Sequence, residues 1–149
     1  MRSLKVHPNR DLSPRDVLTP VQRALCMSRN RGRDTKPELI LRKACWAEGM
    51  RYRLHAKLPG RPDFVVPKYR LAVFVDGCFW HGCATHYQQP ATRSEFWADK
   101  LQKNRRRDLI VNDQLREAGW AVMRIWEHTI REDLEAAVAD IWRRCSVQR

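Results

Sequence analysis

Two short apolar runs, residues 63–66 (DFVV) and 69–75 (YRLAVFV), each carry an aspartate at one end: Asp63 opens the first and Asp76 follows the second. A carboxylate lodged among buried strands is costly unless something offsets its charge, and a divalent cation is the usual partner. The fold must therefore bring both aspartates to a sheet end that stays open to a ligand. The next segment, GCFWHGCATH (77–86), crowds Cys78, His81, Cys83 and His86 around the aromatic pair Phe79 and Trp80.

The remaining pattern supplies the sheet and its cover. Thr35-Lys36-Pro37-Glu38 is a capping-box pattern with proline in the first turn, and it starts a helix that Gly49 stops. Residues 51–54, 63–66 and 69–75 are β-prone and separated by Pro59-Gly60, Pro62, Pro67 and Gly77, which predicts strands. A second capping pattern at 92–95 opens a long helix with Phe96, Trp97, Leu101, Leu109, Ile110 and Leu115 on its apolar face. Residues 120–126 (WAVMRIW) form a further strand, and 129–132 cap a last helix. The order α-β-β-β-α-β-α predicts an α/β fold with a single mixed β-sheet flanked by helices. Residues 1–18 are basic, hold Pro8 and Pro14, and lack apolar periodicity, so they read as a mobile arm before one domain over 19–149.

A net charge of +12 and a pI near 10.2 favour polyanionic partners. No apolar run approaches the roughly 18 residues of a spanning helix, and the basic N-terminus is not followed by a signal-peptide core. The expectation is a cytoplasmic nucleic-acid-binding protein with no membrane partner. Five cysteines, an odd number, argue against a disulfide framework. Cys45 sits in an apolar helical stretch and reads as a core thiol; Cys26 and Cys145 read as structural or exposed thiols. Cys78, Cys83 and His86 have spacing suited to tetrahedral zinc, with His81 or the distant His128 as fourth ligand. Along the long helix, Lys100, Lys103, Asn104, Arg105, Arg106 and Arg107 offer phosphate contacts. Lys100 and Asn104 lie one turn apart on the side of Trp97, as candidates for reading base edges.

At LPGRPDF (58–64), GCFWH (77–81), PATRSEFW (90–97) and GW…IWE (119–127), the sequence resembles the very short patch repair DNA mismatch endonucleases. These are divergent relatives of restriction-endonuclease-like nucleases with the motif PD…(D/E)xK. The resemblance spans about residues 20–130 and implies a restriction-endonuclease-like fold with a zinc-stapled loop. It implies a nick beside the thymine of a T:G mismatch in double-stranded DNA, left by deamination of 5-methylcytosine. It further implies that Asp63 and the backbone carbonyl of Val75 bind Mg²⁺, that His81 activates the attacking water, and that Glu38 and Asp108 assist. Glu38 also has a bland role in its capping box, and Asp108 in offsetting the arginine run. The resemblance makes Phe79 and Trp80 an intercalating wedge, with Met27 entering from the opposite groove. A wedge between base steps costs a few kcal/mol of unstacking, and a poorly stacked mismatch lowers that cost.

Two departures qualify the match. The lysine that the wider superfamily has two residues after Asp76 is replaced by Cys78, as the repair family also lacks it. Some relatives have histidine at Asp76, so here that carboxylate either binds metal directly or raises the proton affinity of His81. The family's distant zinc ligand corresponds to His128, while His86 falls one residue beyond the familiar spacing. The implied protein is a monomer that works with other mismatch-repair proteins. A single-domain nuclease of different specificity, and a zinc-stapled module that grips mismatches without cutting, remain the alternatives.

Overall fold

The computed structural model describes residues 18–29 and 32–148, without the side chains of Met27 and Arg29. Apart from Leu18, the expected arm lies outside the described residues. Three strands form one sheet in the order β1 (Phe64–Val66), β2 (Leu71–Asp76), β3 (Ala121–Trp126). β1 runs antiparallel to β2, with Phe64 opposite Val73, and a 3-10 turn at Pro67–Tyr69 makes the return. β2 and β3 are parallel, with Asp76 opposite Trp126. A parallel pair needs a long crossover, and helix α4 (Ser94–Glu117) supplies it.

Helices cover both faces, so the central strand β2 is apolar from Leu71 to Val75 rather than alternating, and only its last residue, Asp76, is charged. Leu71 and Val73 face a core with Leu41, Cys45, Phe64, Ile125 and Ile141. That side is covered by α2 (Lys36–Ala47), α5 (Glu127–Glu132) and α6 (Leu134–Val147). Ala72 and Phe74 face the other way, towards Val65, Val111 and Leu115. The expected α/β arrangement of one mixed sheet flanked by helices is what forms. Two more helices are α1 (Pro20–Arg29) and the single turn α3 (Cys78–His81).

Several local expectations are corrected. Residues 51–54 form no strand; Arg53 makes one isolated bridge, donating to Val65 O at 2.8 Å and accepting from Val65 N at 2.9 Å. A single pair does not propagate into a ladder. The last helix is split, because Asp133 adopts an extended φ of −150° and its side chain accepts from Ala136 N at 2.9 Å. Asp133, not Thr129, is thus the cap of α6. On α4 the buried residues are Val111 and Leu115, whereas Leu109 (64%), Ile110 (52%) and Phe96 (44%) are exposed. Apolar composition did not identify the docked stripe, which the sheet selects. No side chain caps α4; its N-cap, Arg93, is left-handed at φ 56°. Cys45 and Cys145 are buried in the core, where burial pushes Cys45 up to about 12 and Cys145 upward, while Cys26 is exposed.

One glycine decides how the first aspartate reaches the sheet. Gly60 has φ +71°, and a Cβ there would stand 2.3 Å from Val111 Cγ1. Both backbone and space exclude a side chain. Gly60→Ala is expected to cost about 2–3 kcal/mol and lower Tm by roughly 5–10 °C in thermal unfolding.

Candidate functional site

Where β2 ends, the sheet opens into a cleft of about 1040 Å³. Its floor holds Glu38, Asp63, Asp76, His81 and Asp108; Arg33, Lys57, Arg61 and Arg107 also line it. The turn at Gly60 delivers Asp63 to the start of β1, where its N–H donates to Val73 O at 3.0 Å. The side chain then folds onto the edge of β2, and Oδ2 accepts from Val75 N at 2.6 Å. In a strand the N–H and C=O of one residue face the same edge, so the Val75 carbonyl also faces Asp63. Burial pushes Asp63 up to about 7; the Val75 N–H opposes this, and the charges of Glu38 and Asp76 add to it. A group of carboxylates whose charges resist one another is a site that could hold a cation.

Glu38 is 5% exposed. Its carboxylate accepts from Thr35 Oγ1 at 2.8 Å and from Asp34 N at 2.8 Å, and Thr35 makes no side-chain cap. The expected capping box is therefore not built: Glu38 reaches past the N-cap to the N–H of Asp34, and Thr35 serves Glu38 instead of the helix. Arg42, also buried, donates to Asp34 at 2.6 Å and closes this corner.

His81 leaves the Cys/His cluster and turns into the cleft. Its Nδ1 lies 2.6 Å from Asp108 Oδ2, whereas its Nε2 is 3.8 Å from Asp76 Oδ1. Asp108 is thus the carboxylate bonded to the imidazole, with Asp76 a more distant charged neighbour of its other nitrogen. With Nδ1–H donating to Asp108, the Nε2 lone pair is left free. Asp76 is instead bonded by Arg124, whose Nη1 donates at 2.9 Å. Burial raises the Asp76 carboxyl above its ordinary range, against the opposing charges of His81 and Arg124.

Cys78, Cys83, His86 and His128 form the second constellation, with ligand atoms all within 4.8 Å of one another. The parallel register explains how a distant residue joins it: Asp76 pairs with Trp126, so the chain beyond β3 runs beside Cys78. The Sγ–Nδ1 separations are 3.2 Å for Cys78–His128, 3.5 Å for Cys83–His128 and 3.7 Å for Cys83–His86. Zinc bonds at a tetrahedral angle would set S and N about 3.6 Å apart, so these residues could hold that ion. Burial acts to raise the Cys83 thiol, but hydrogen bonds from His86, Thr85 and Cys78 outweigh it and bring it down to about 7. A thiol near neutrality is ready to become a thiolate ligand. Glu127 braces the cluster by accepting from Cys78 N at 3.1 Å.

The aromatic pair is less free than the sequence suggests. Phe79 and Trp80 are half-buried, with ring centroids 5.3 and 6.2 Å from Trp97, and Phe79 is 6.1 Å from Tyr87. Lys100 Nζ lies 5.8 Å above the Trp80 ring. Asn104 donates to Trp80 O at 2.9 Å, so part of its amide holds the backbone at Trp80 instead of facing outward. Arg105 similarly donates to Gly82 O at 2.9 Å. The side chain of Met27 lies outside the described residues.

Sequence reasoning passed over Arg124, Arg42 and the cleft-lining basic residues Arg33, Lys57 and Arg61. For Arg124 a signal existed, a lone cation inside the apolar strand WAVMRIW. Comparison with known proteins adds that residues 15–89 match the family model described as DNA mismatch endonuclease Vsr. The chain is similar to a type II nicking enzyme of Neisseria meningitidis serogroup C, 47% identical over 118 residues that cover 77% of this chain and 80% of that one. It is 45% identical over 120 residues to a type II nicking enzyme of Lentzea aerocolonigenes, covering 76% and 72% of the two chains. It is also 45% identical over 101 residues to the DNA mismatch endonuclease Vsr of Escherichia coli, covering 66% and 65%.

Proposed function

Since the chain belongs to the DNA mismatch endonuclease Vsr family and is therefore a DNA endonuclease, we propose that it nicks one strand of double-stranded DNA beside the thymine of a T:G mismatch by magnesium-dependent hydrolysis. Nicking accords with the names of its relatives, type II nicking enzymes among them. The observation that carries the reading is the pairing in one cleft of Asp63 with an imidazole that Asp108 orients at 2.6 Å and that stays clear of the Cys/His cluster.

Asp63 and the Val75 carbonyl would hold Mg²⁺, Glu38 would bond its waters, and the raised Asp63 carboxyl is the sign of a site that such an ion would relieve. When bound, magnesium supplies polarisation of the phosphodiester and stabilisation of the leaving oxygen. Asp108 holds His81 with Nδ1 as donor, so Nε2 takes the proton of the attacking water. Lys57, Arg61 and Arg107 line the cleft and face the charge of the DNA backbone. Phe79 and Trp80 open the mismatched step, and Trp97, Lys100 and Asn104 support them from α4, with Met27 as the opposing contact. We read the sheet as restriction-endonuclease-like, since one aspartate stands immediately before β1 and another ends the adjacent β2. The protein would act as a monomer, alongside other mismatch-repair proteins.

A cleavage assay on matched, T:G and other mismatched duplexes, with and without Mg²⁺, tests the reading. Strand breaks confined to the T:G duplex with magnesium are expected; metal-independent base release, or binding without breaks, would refute it. Zinc would staple the loop after β2 to α5 through Cys78, Cys83, His86 and His128. Cys83→Ala is accordingly expected to reduce bound zinc from about one per chain to near zero, measured by elemental analysis. Tm should fall by about 10 °C or more, since metal binding contributes directly to folding.

A further inference from the structure

Arg124 is drawn into the site from β3, with its side chain 19% exposed. Its Nη1 donates to Asp76 Oδ1 at 2.9 Å, and Nη2 lies 3.4 Å from Asp108 Oδ1. Nε donates to Asn112 Oδ1 at 3.0 Å, and the guanidinium stands 4.4 Å over the Phe74 ring. The register explains its reach, since Arg124 is the residue paired with Phe74 across β2 and β3.

Asp76, His81 and Asp108 have ligand atoms within 4.8 Å of one another, the spacing of a cation site. Here a guanidinium touches both carboxylates. A planar fork can meet two carboxylates at once, which a lysine ammonium cannot do with the same geometry. Stacking on Phe74 and the bond to Asn112 hold that fork in one orientation. Asp108 receives Arg124 on Oδ1 and His81 on Oδ2, so the guanidinium sets the carboxylate that sets the imidazole.

We propose that Arg124 is a positioning residue that stands in for a second cation. It neutralises Asp76, aligns Asp108, and thereby keeps His81 in the form with Nδ1 protonated and Nε2 free. This rests on the nicking reading of the site and names the residue that makes His81 competent in it. It also makes Asp76 an internal counter-ion rather than a metal ligand.

The test compares Arg124→Ala and Arg124→Lys with the wild-type chain. Three readouts are taken: single-turnover nicking with Mg²⁺, affinity for the mismatched duplex with Ca²⁺, and the His81 tautomer by side-chain proton–nitrogen NMR at alkaline pH, assigned with His81→Ala. Arg124→Ala should nick about 10- to 100-fold more slowly, as expected when a supporting contact to a catalytic group is lost. Its DNA affinity should stay within threefold, and its His81 signal should become a mixture of tautomers. Arg124→Lys should fall between, restoring charge without the fork. Because Arg124→Ala leaves a buried carboxylate uncompensated, Arg124→Ala with Asp76→Asn is measured beside it. That double variant should fold, remain slow and keep the mixed tautomer. The proposal is overturned if Arg124→Ala keeps the wild-type rate or tautomer, or if the double variant regains both, since Arg124 would then only balance Asp76. A wild-type chain that leaves every duplex intact would sink the nicking reading, while the tautomer comparison would still decide the role of Arg124.

Discussion

Asp63→Ala should reduce nicking of a T:G duplex by at least about 10³-fold while binding of the same duplex persists. Asp63 is the carboxylate fixed most firmly to the sheet end, held by Val75 N at 2.6 Å, and its like-charged neighbours Glu38 and Asp76 make the site short of positive charge. Losing it removes the anchor proposed for magnesium but none of the groups proposed for gripping DNA. Parallel loss of binding and cutting would mean that Asp63 shapes the fold and not the reaction. Asp63→Asn gives a second, independent readout. The carboxyl of the metal-free folded protein titrates near 7, against an ordinary 3.8, so the folded state keeps a proton that the unfolded chain has lost. Its stabilising contribution is therefore full below about pH 4 and is lost as pH rises through about 7. In chelator at pH 8, Asp63→Asn should melt several degrees higher than wild type, and that advantage should vanish by pH 4.

His81→Ala should lower the single-turnover rate by about 10²–10⁴-fold, the usual contribution of a positioned general base. Zinc content should be unchanged, because the Cys/His cluster is complete without this residue. The combination separates two roles that the sequence left open for a histidine lying between Cys78 and Cys83. If His81→Ala loses zinc along with activity, the imidazole belongs to the staple and a different base must be sought. Asp108→Asn should give a smaller loss, about 10- to 100-fold, because it changes the orienting partner and leaves the base in place.

What the sequence made legible was local. Asp63, Asp76 and the cysteine-histidine run announced themselves because a few residues of chain carry each, and carboxylates beside apolar strands need a reason. The start of α2 and the breaks at Gly49 and Gly119 followed from turn chemistry. What failed depended on how distant elements dock. Leu109 and Ile110 look as suitable for burial as Val111, yet the side of α4 that meets Val65, Ala72 and Phe74 is set by the sheet. Arg124 stood out as a lone cation in an apolar strand, but its partners could not be read because they come from the β2–β3 register. The same register brings His128 to the thiols, where the sequence had offered it beside His81 and the family resemblance favoured it. Residues 51–54 had strand composition but gained a single bridge to Val65 and no ladder.

One helix serves as a common ruler for the whole cleft. Val111 of α4 supports the Gly60 turn that delivers Asp63, Asp108 grips the imidazole, and Asn104 and Arg105 grip the backbone at Trp80 and Gly82. The gap between Asp63 and His81, the groups proposed to hold the ion and to act as base, is therefore written in helical rise, about 1.5 Å per residue, and not in the lengths of the surrounding loops. Loops around the cleft can drift without detuning the chemistry, but a kink in α4 between Asn104 and Val111 would put the two halves out of step.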